Sequence, residues 1–164
     1  LTFKTNMGDF TVQLESEKTP LTVANFLQYV RDGDYDGTIF HRVIAKFMVQ
    51  GGGFTKDFEK KTSRDAIENE ADKGLNHERG TIAMARTGNP HSATNQFFIN
   101  VVYNKFLNHT GKNDQGWGYT AFGRIIDGMN IVGRIARVKT GNVGPYSDVP
   151  EDAIVIEKAI ITSE

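Results

Sequence analysis

The amino-acid sequence predicts a mainly β protein in which an antiparallel sheet closes into a barrel and two α-helices cover its open ends. Three observations support this fold class. Strand-like segments greatly outnumber helical ones, they are short and separated by stretches rich in Gly, Asn, Asp and Pro, and few of them have the spacing of a strand–helix–strand unit. The predicted strands cover residues 10–14, 38–44, 46–50, 80–87, 95–102, 119–125 and 153–161.

The chain opens in sheet and then forms the first helix. Residues 10–14 (FTVQL) alternate apolar and polar side chains after the turn-like NMGD, as in the second strand of a hairpin. Thr19 is a suitable N-cap, Pro20 suits the first helical position, and Gly33 ends the helix. The apolar stripe of this helix has the spacing i, i+3, i+4, i+7 and consists of Val23, Phe26, Leu27 and Val30.

A second helix is predicted from Asp127 to Val138. Asp127 is able to cap it. Its apolar stripe consists of Met129, Val132, Ile135 and Ala136. The long polar stretch 55–78 shows neither helical nor strand periodicity, so we predict an irregular excursion within the domain.

Length and composition restrict the class of protein. The 164 residues suit a single domain spanning residues 1–164. With 19 basic and 20 acidic residues the net charge is −1, so we expect no nucleic-acid partner. The absence of cysteine excludes disulfides, thiolate catalysis and cysteine-based zinc sites.

The apolar runs are too short to span a bilayer, so we expect no membrane partner. Nothing in the sequence indicates an obligate oligomer, and we expect a monomer. We also expect a cytoplasmic location, because no tail precedes the first predicted strand. A periplasmic location after removal of a leader is the alternative.

The segment RDGDYDGTIFHRV contains part of a calcium-binding pattern. Asp32, Asp34 and Asp36 are spaced like the first three ligands of an EF-hand loop, and Gly37 follows at the turn position. The twelfth position, which must supply a bidentate glutamate, is Val43. A strand pattern also follows where an EF-hand has a helix, so the sequence argues against a calcium loop.

The four histidines show no catalytic or metal-binding spacing. His77, His91 and His109 lie in polar, loop-like sequence and are predicted to be solvated. His41 lies in a predicted strand and is predicted to be a hydrogen-bonded structural histidine. Ser92 beside His91 is only a weak hint of a hydrolase, because nothing orients the imidazole.

Amide, apolar and arginine side chains are combined unusually in two predicted strands. Period-two alternation places Met48 and Gln50 on one face of the predicted strand 46–50, and it places Gln96, Phe98 and Asn100 on one face of the predicted strand 95–102. Arg42 lies between apolar strand residues, where a surface ion pair is its ordinary role. The run Gly51–Gly53 lacks the lysine of a phosphate loop and is predicted to form a bulge or tight bend.

Two long stretches, FHRVIAKFMVQGGGF and IAMARTGNPHSATNQFFIN, resemble the most diagnostic motifs of the cyclophilins, a family of peptidyl-prolyl cis-trans isomerases. The resemblance extends over the whole chain, and GKNDQGWGY is similar to the corresponding segment of short bacterial members. It implies an eight-stranded antiparallel barrel capped by two helices. It also implies an isomerase that acts on proline-containing segments of other proteins, assists folding and uses no cofactor or metal.

The same resemblance implies the site residues. Arg42 matches the family's catalytic arginine. The matches to the proline pocket and its adjacent groove are Phe47, Met48, Gln50, Gln96, Phe98 and Leu107, and the edge that pairs with substrate backbone is matched by Ala85, Arg86 and Thr87.

Three groove positions depart from the best-known eukaryotic pattern. Phe106 occupies a position that is often tryptophan, Arg86 one that is often asparagine, and Tyr119 one that is often histidine. We therefore expect weak cyclosporin binding, and these departures leave the substrate preference open. The competing functional classes are a non-catalytic proline-binding module, a calcium-binding protein and a hydrolase built on His91.

Overall fold

The computed structural model of the chain describes residues 1–162. Within them the chain forms eleven strands, two α-helices and one short 3₁₀-helix. The strands are β1 Thr2–Thr5, β2 Gly8–Leu14, β3 Thr38–Ile39, β4 Arg42–Ile44, β5 Met48–Gly51, β6 Thr81–Met84, β7 Phe97–Asn100, β8 Ala121–Asp127, β9 Thr140–Val143, β10 Tyr146–Pro150 and β11 Val155–Ile160. The helices are α1 Pro20–Arg31, α2 Met129–Ile135 and the 3₁₀-helix Lys105–Leu107.

Nine strands form one antiparallel sheet in the order β3-β11-β1-β2-β8-β6-β7-β5-β4. The two edge strands, β3 and β4, are consecutive in the chain and are separated only by Phe40 and His41. The sheet must therefore curl until its edges lie within a dipeptide of each other. The mainly β class with a curled antiparallel sheet and two helices is confirmed. The predicted strand 38–44 is broken into β3 and β4, so the sheet has nine strands where eight were expected.

The interior of the curled sheet is filled by aromatic rings. Phe3 stacks on Phe10 with ring centroids 5.1 Å apart, and Phe97 lies 5.5 Å from Phe3. Phe26 of α1 reaches the same cluster, 4.9 Å from Phe122 of β8. Such ring pairs stabilise a fold beyond the burial of their apolar area. Phe26 belongs to the predicted apolar stripe of α1, so this stripe holds the helix against the sheet.

The helix ends differ from the prediction. Thr19 precedes α1, but its hydroxyl donates to the carbonyl of Glu15 and caps no helical N–H. The cap comes instead from Glu70, whose carboxylate accepts hydrogen bonds from the N–H and hydroxyl of Thr22, both at 2.7 Å. A buried acid from the irregular stretch thus satisfies the positive end of the helix.

The second helix is shorter than predicted. It begins at Met129, because Asp127 still belongs to β8 and Gly128 makes the turn with φ +84°. A side chain at Gly128 would also collide with the backbone of β2, with a Cβ only 2.5 Å from the carbonyl oxygen of Asp9. The hairpin of β9 and β10 was not predicted.

Residues 55–78 contain no helix or strand within the part of the chain that the structure describes, as predicted for this stretch. No helix among residues 1–162 is long and apolar enough to cross a membrane.

Candidate active site

The candidate site lies on the outer face of the sheet. Along β5 and β7, alternation points Val49, Phe97 and Ile99 into the core, so the intervening side chains point outwards. Strand register then aligns Arg42 of β4 with Gln50 of β5, and Gln50 with Phe98 of β7. The face shared by these side chains is therefore set by the same alternation that builds the core.

A cavity of about 150 Å³ opens at this row of side chains. A cavity of roughly this volume in another protein admits a benzene ring, so a five-membered ring fits. Nine of the twelve predicted site residues line it, namely Arg42, Phe47, Met48, Gln50, Ala85, Arg86, Phe98, Leu107 and Tyr119. The structure thus brings together residues that are far apart in the sequence.

The floor of the cavity is apolar. Met48, Phe98 and Leu107 pack with Ala83 and Ala121 in a cluster separate from the main core. Phe98 is only 5% exposed. This floor can take up an apolar ring and exclude water from it.

One edge of the cavity carries an arginine with few partners. The side chain of Arg42 is exposed, and its Nη1 donates to Oε1 of Gln50 at 3.4 Å. Among the described residues Arg42 has no ion pair, so the surface ion-pair interpretation finds no support there. Most of its guanidinium donors remain available to a ligand.

Gln50 is itself held in place. Its Nε2 donates to Oε1 of Gln96 at 2.9 Å. Gln96, a predicted groove residue, does not itself line the cavity. The predicted bend at Gly51–Gly53 supports this pair, because a Cβ at Gly53 would lie 2.5 Å from Cγ of Gln96. Gly53 therefore leaves the space that the Gln96 side chain occupies.

Arg86 and Tyr119 also line the cavity. The guanidinium of Arg86 lies 4.4 Å from the centre of the Tyr119 ring. Its Nε and Nη2 donate to the carbonyl of Gly118 at 3.1 and 2.9 Å, and Nη1 donates to the carbonyl of Thr87 at 2.9 Å. These contacts fix the charge beside the cavity.

Two further predicted residues, besides Gln96, lie beside the cavity and not in its lining. Phe106 is 74% exposed and stacks on Phe47 with centroids 5.8 Å apart. Thr87 is exposed, and its hydroxyl hydrogen bonds with that of Ser92 at 2.8 Å. Both lie next to lining residues, one stacked on Phe47 and the other following Arg86.

A buried polar network under the floor was missed by the sequence analysis. His77, predicted to be solvated, is fully buried, and its ring stacks under Phe98 at 5.9 Å. Its Nε2 donates to the carbonyl of Tyr119 at 2.7 Å, and its Nδ1 therefore accepts from the amide of Asn100 at 2.9 Å. Asn104 donates to Asn100 and to the carbonyl of Phe47, which ties the network to both sides of the cavity.

His41 also differs from the prediction. It lies between β3 and β4, and its buried Nδ1 has no hydrogen-bond partner, although a hydrogen-bonded histidine was predicted. Its ring packs edge-on against Phe54, with centroids 4.8 Å apart. Burial, with a smaller contribution from the charge of Arg42, lowers the pKa of His41 to about 4. The pKa of His77 is lowered by burial as well.

These pKa values predict a loss of stability in acid. Between about pH 4 and pH 6.5 the unfolded chain binds more protons than the folded one. The free energy of unfolding is therefore highest above pH 6.5 and decreases as the pH falls through this interval. His41 alone accounts for roughly 3 kcal/mol of this loss. We expect the melting temperature to decline over this interval and His41→Phe to reduce the decline. An equal decline in both proteins would contradict this assignment.

The alternative sites suggested by the sequence are not assembled. Nδ1 of His91 accepts from the backbone N–H of Asn69, while the hydroxyl of Ser92 donates to the carbonyl of Asn89, so no nucleophile–base pair forms. The carboxylate of Asp32 binds Arg64 at 2.7 Å, and that of Asp36 accepts from the N–H of Ala159. No group of three or more potential metal ligands occurs within residues 1–162.

Comparison with known proteins agrees with this geometry. The family model described as cyclophilin type peptidyl-prolyl cis-trans isomerase matches residues 1–161. The chain is 55% identical to peptidyl-prolyl cis-trans isomerase cyp18 of Streptomyces antibioticus, over 96% of this chain and 95% of that protein. It is 51% identical to peptidyl-prolyl cis-trans isomerase B of Escherichia coli K12, over 99% of both.

A solved structure shows the same fold. It is a cyclophilin type isomerase of Cryptosporidium parvum, crystallised in the presence of the dipeptide Ala-Pro, and it covers 99% of this chain and 98% of its own with a TM-score of 0.80 at 28% identity. The family and enzyme class predicted from the sequence are thereby confirmed. The chain belongs to the cyclophilin type peptidyl-prolyl cis-trans isomerases.

Proposed function

We propose that this isomerase accelerates rotation about X-Pro peptide bonds in flexible or unfolded segments of other proteins, and so assists their folding, with Arg42 as the catalytic residue. The observation that carries the proposal is the pairing of a ring-sized cavity that has an apolar floor with an arginine that has no ion pair among the described residues. Membership of the family supports it independently.

The reaction explains why such a simple site suffices. An X-Pro bond has partial double-bond character and a rotation barrier of about 18–20 kcal/mol, yet no covalent bond is made or broken during isomerisation. In the twisted transition state the proline nitrogen loses its conjugation, and its lone pair becomes able to accept a hydrogen bond. The planar ground state offers no such acceptor.

The guanidinium of Arg42 can donate to that nitrogen. An interaction present only in the transition state raises the rate constant, whereas one present in both states only tightens binding. Raising the rate from about 10⁻² to about 10³ s⁻¹ requires about 7 kcal/mol. One charge-assisted hydrogen bond contributes about 1.5–3 kcal/mol, so the cavity must supply the remainder.

The cavity contributes by holding the proline ring and excluding water from it. Phe47, Met48, Phe98 and Leu107 form its apolar surface. A held ring leaves the segment before the proline as the part that rotates, which lowers the entropic cost of reaching the twisted geometry.

Gln50 has two roles in this proposal. Its Oε1 accepts from Arg42 and its Nε2 donates to Gln96, so it positions the guanidinium at the cavity edge. The second N–H of its amide remains available for a carbonyl of the substrate. Ala85 and Arg86 also line the cavity, and an extended substrate would pair with the backbone of this segment.

Exchange spectroscopy on a short proline peptide tests the proposed function. With catalytic amounts of folded protein, we expect cis and trans resonances to exchange far faster than the uncatalysed interconversion, which takes tens to hundreds of seconds. A non-catalytic proline-binding module would shift the resonances without accelerating their exchange. Unchanged exchange in folded protein would refute the isomerase function.

Cyclosporin binding is expected to be weak and to depend on Phe106. A phenylalanine lacks the indole N–H donor that a tryptophan supplies at this position. The ring is 74% exposed, so Phe106→Trp should be accommodated without loss of stability. We expect this variant to bind cyclosporin more tightly, by about 5- to 10-fold for one added hydrogen bond. Calorimetric titration showing equal affinity for both proteins would contradict the expectation.

A further inference from the structure

The charges of the chain are distributed unevenly around the cavity. All residues that line it fall in the segments 37–56, 79–113 and 115–126, and none of these segments contains an aspartate or glutamate. The chain as a whole has 20 acidic residues and a net charge of −1. The site is therefore positively charged in a protein that is slightly acidic overall.

Two of the lining residues are arginines with uncompensated charge. Among residues 1–162 neither Arg42 nor Arg86 has a carboxylate partner. Lys46 and Lys105 are exposed and directly precede Phe47 and Phe106, whose rings stack beside the cavity. They too have no ion pair among the described residues, so the positive charge extends along this rim.

Arg86 is built to present its charge to a ligand. Three of the five guanidinium N–H groups are used by the carbonyls of Gly118 and Thr87, and the cation lies 4.4 Å from the centre of the Tyr119 ring. Carbonyl oxygens and an aromatic face orient a guanidinium without neutralising it. Two N–H groups and the full charge remain for an anionic group of a bound peptide.

We infer that Arg86 makes this isomerase selective for proline segments that carry an aspartate or glutamate immediately beside the proline. The inference rests on the proposed function, because it assigns a substrate class to the same cavity. A flanking carboxylate would meet Arg86 while the proline ring occupies the apolar floor. A flanking lysine would be repelled by the same charge.

The expected selectivity is modest and depends on salt. The site is open to solvent, so a glutamate peptide should be isomerised about 2- to 5-fold more efficiently than its glutamine counterpart at low ionic strength. The preference should disappear between about 10 mM and about 1 M salt, as the Debye length falls from about 30 Å to about 3 Å.

The test uses matched peptides in which Glu, Gln or Lys stands on either side of the proline, with kcat/KM measured by NMR exchange. Wild type should rank Glu above Gln and Gln above Lys on at least one side. Arg86→Gln should bring the Glu-to-Gln ratio close to one, and Arg86→Glu should favour Lys. Arg137→Gln, an equal change of charge at a residue outside the cavity lining, should keep the wild-type ratio.

Each outcome decides the inference. Equal kcat/KM for all three peptides in wild type at low salt would overturn it while leaving the isomerase function intact. A glutamate preference that survives Arg86→Gln would overturn the assignment to Arg86. The ratio between two peptides is measured on one protein sample, so partial unfolding of a variant cancels. Failure to accelerate any peptide would instead contradict the proposed function itself.

Discussion

Replacing Phe98 by alanine is expected to destabilise the protein by about 3–5 kcal/mol. The side chain is 5% exposed, lies among Met48 and Leu107, and packs on the buried ring of His77. Removing it empties the floor of the cavity and uncovers the polar network beneath. Urea unfolding of both proteins measures the change. Phe106→Ala is the matched control, since that ring is 74% exposed and its loss should change stability by less than about 0.5 kcal/mol.

The same substitution should weaken catalysis in a recognisable way. An apolar floor binds the proline ring in the planar and in the twisted state, so its loss should weaken peptide affinity and lower kcat/KM together. A variant that is destabilised as expected but binds the peptide normally would show that the ring is not held on Phe98.

Replacing Arg42 by alanine is expected to lower turnover by about 10²–10³-fold, as the loss of a preorganised electrostatic donor does in other enzymes. Peptide affinity should stay within a few-fold of wild type, because the acceptor for Arg42 exists only after the amide has twisted. Turnover and affinity on one proline peptide check both statements. Stability should hardly change, since the Arg42 side chain is exposed.

Arg42→Lys is the matched control for charge. Lysine keeps the positive charge but lacks the planar fork that Gln50 orients through a 3.4 Å hydrogen bond. We expect intermediate turnover. Full activity in Arg42→Lys would show that charge alone suffices, and that the position of the guanidinium has no role.

The face of the sheet that carries the site could be predicted from the sequence, because side chains alternate between the two faces along each strand. Met48 and Gln50 were predicted to share one face of their strand, and Phe98 was predicted to share a face with Gln96 in another. The register of β5 and β7 then places Met48, Gln50 and Phe98 around one cavity. The core followed from the same alternation, since the intervening Val49 and Phe97 point inwards. Period-two patterns carry this information locally, before any tertiary contact is known.

The misassigned features depend on contacts between distant residues. His77 stands in a polar stretch that looks solvated, and only its pairing with Asn100 and Tyr119 makes its burial tolerable. The α1 cap comes from Glu70, which is 48 residues from Thr22 and has no local signature. A local window of sequence around His77 or Thr22 does not contain these partner residues.

The missed hairpin has a different cause. Most residues of β9 and β10 are exposed or half-buried, so no apolar alternation marks them as strands. The roles of Arg86, Thr87 and Phe106 came from the family resemblance alone, since no periodic pattern distinguishes them. Their positions are now known, and their contributions to binding stay predictions.

Line-shape analysis of a bound proline peptide tests the central claim most directly, because it yields the dissociation constant and the cis–trans exchange rate of the bound peptide from one titration. It should be run on wild type and Arg42→Ala below their melting temperatures. We predict similar dissociation constants and an exchange rate at least about 100-fold slower in the variant. Equal exchange rates for the peptide bound to both proteins would show that Arg42 does not stabilise the twisted amide, and would contradict the proposed mechanism.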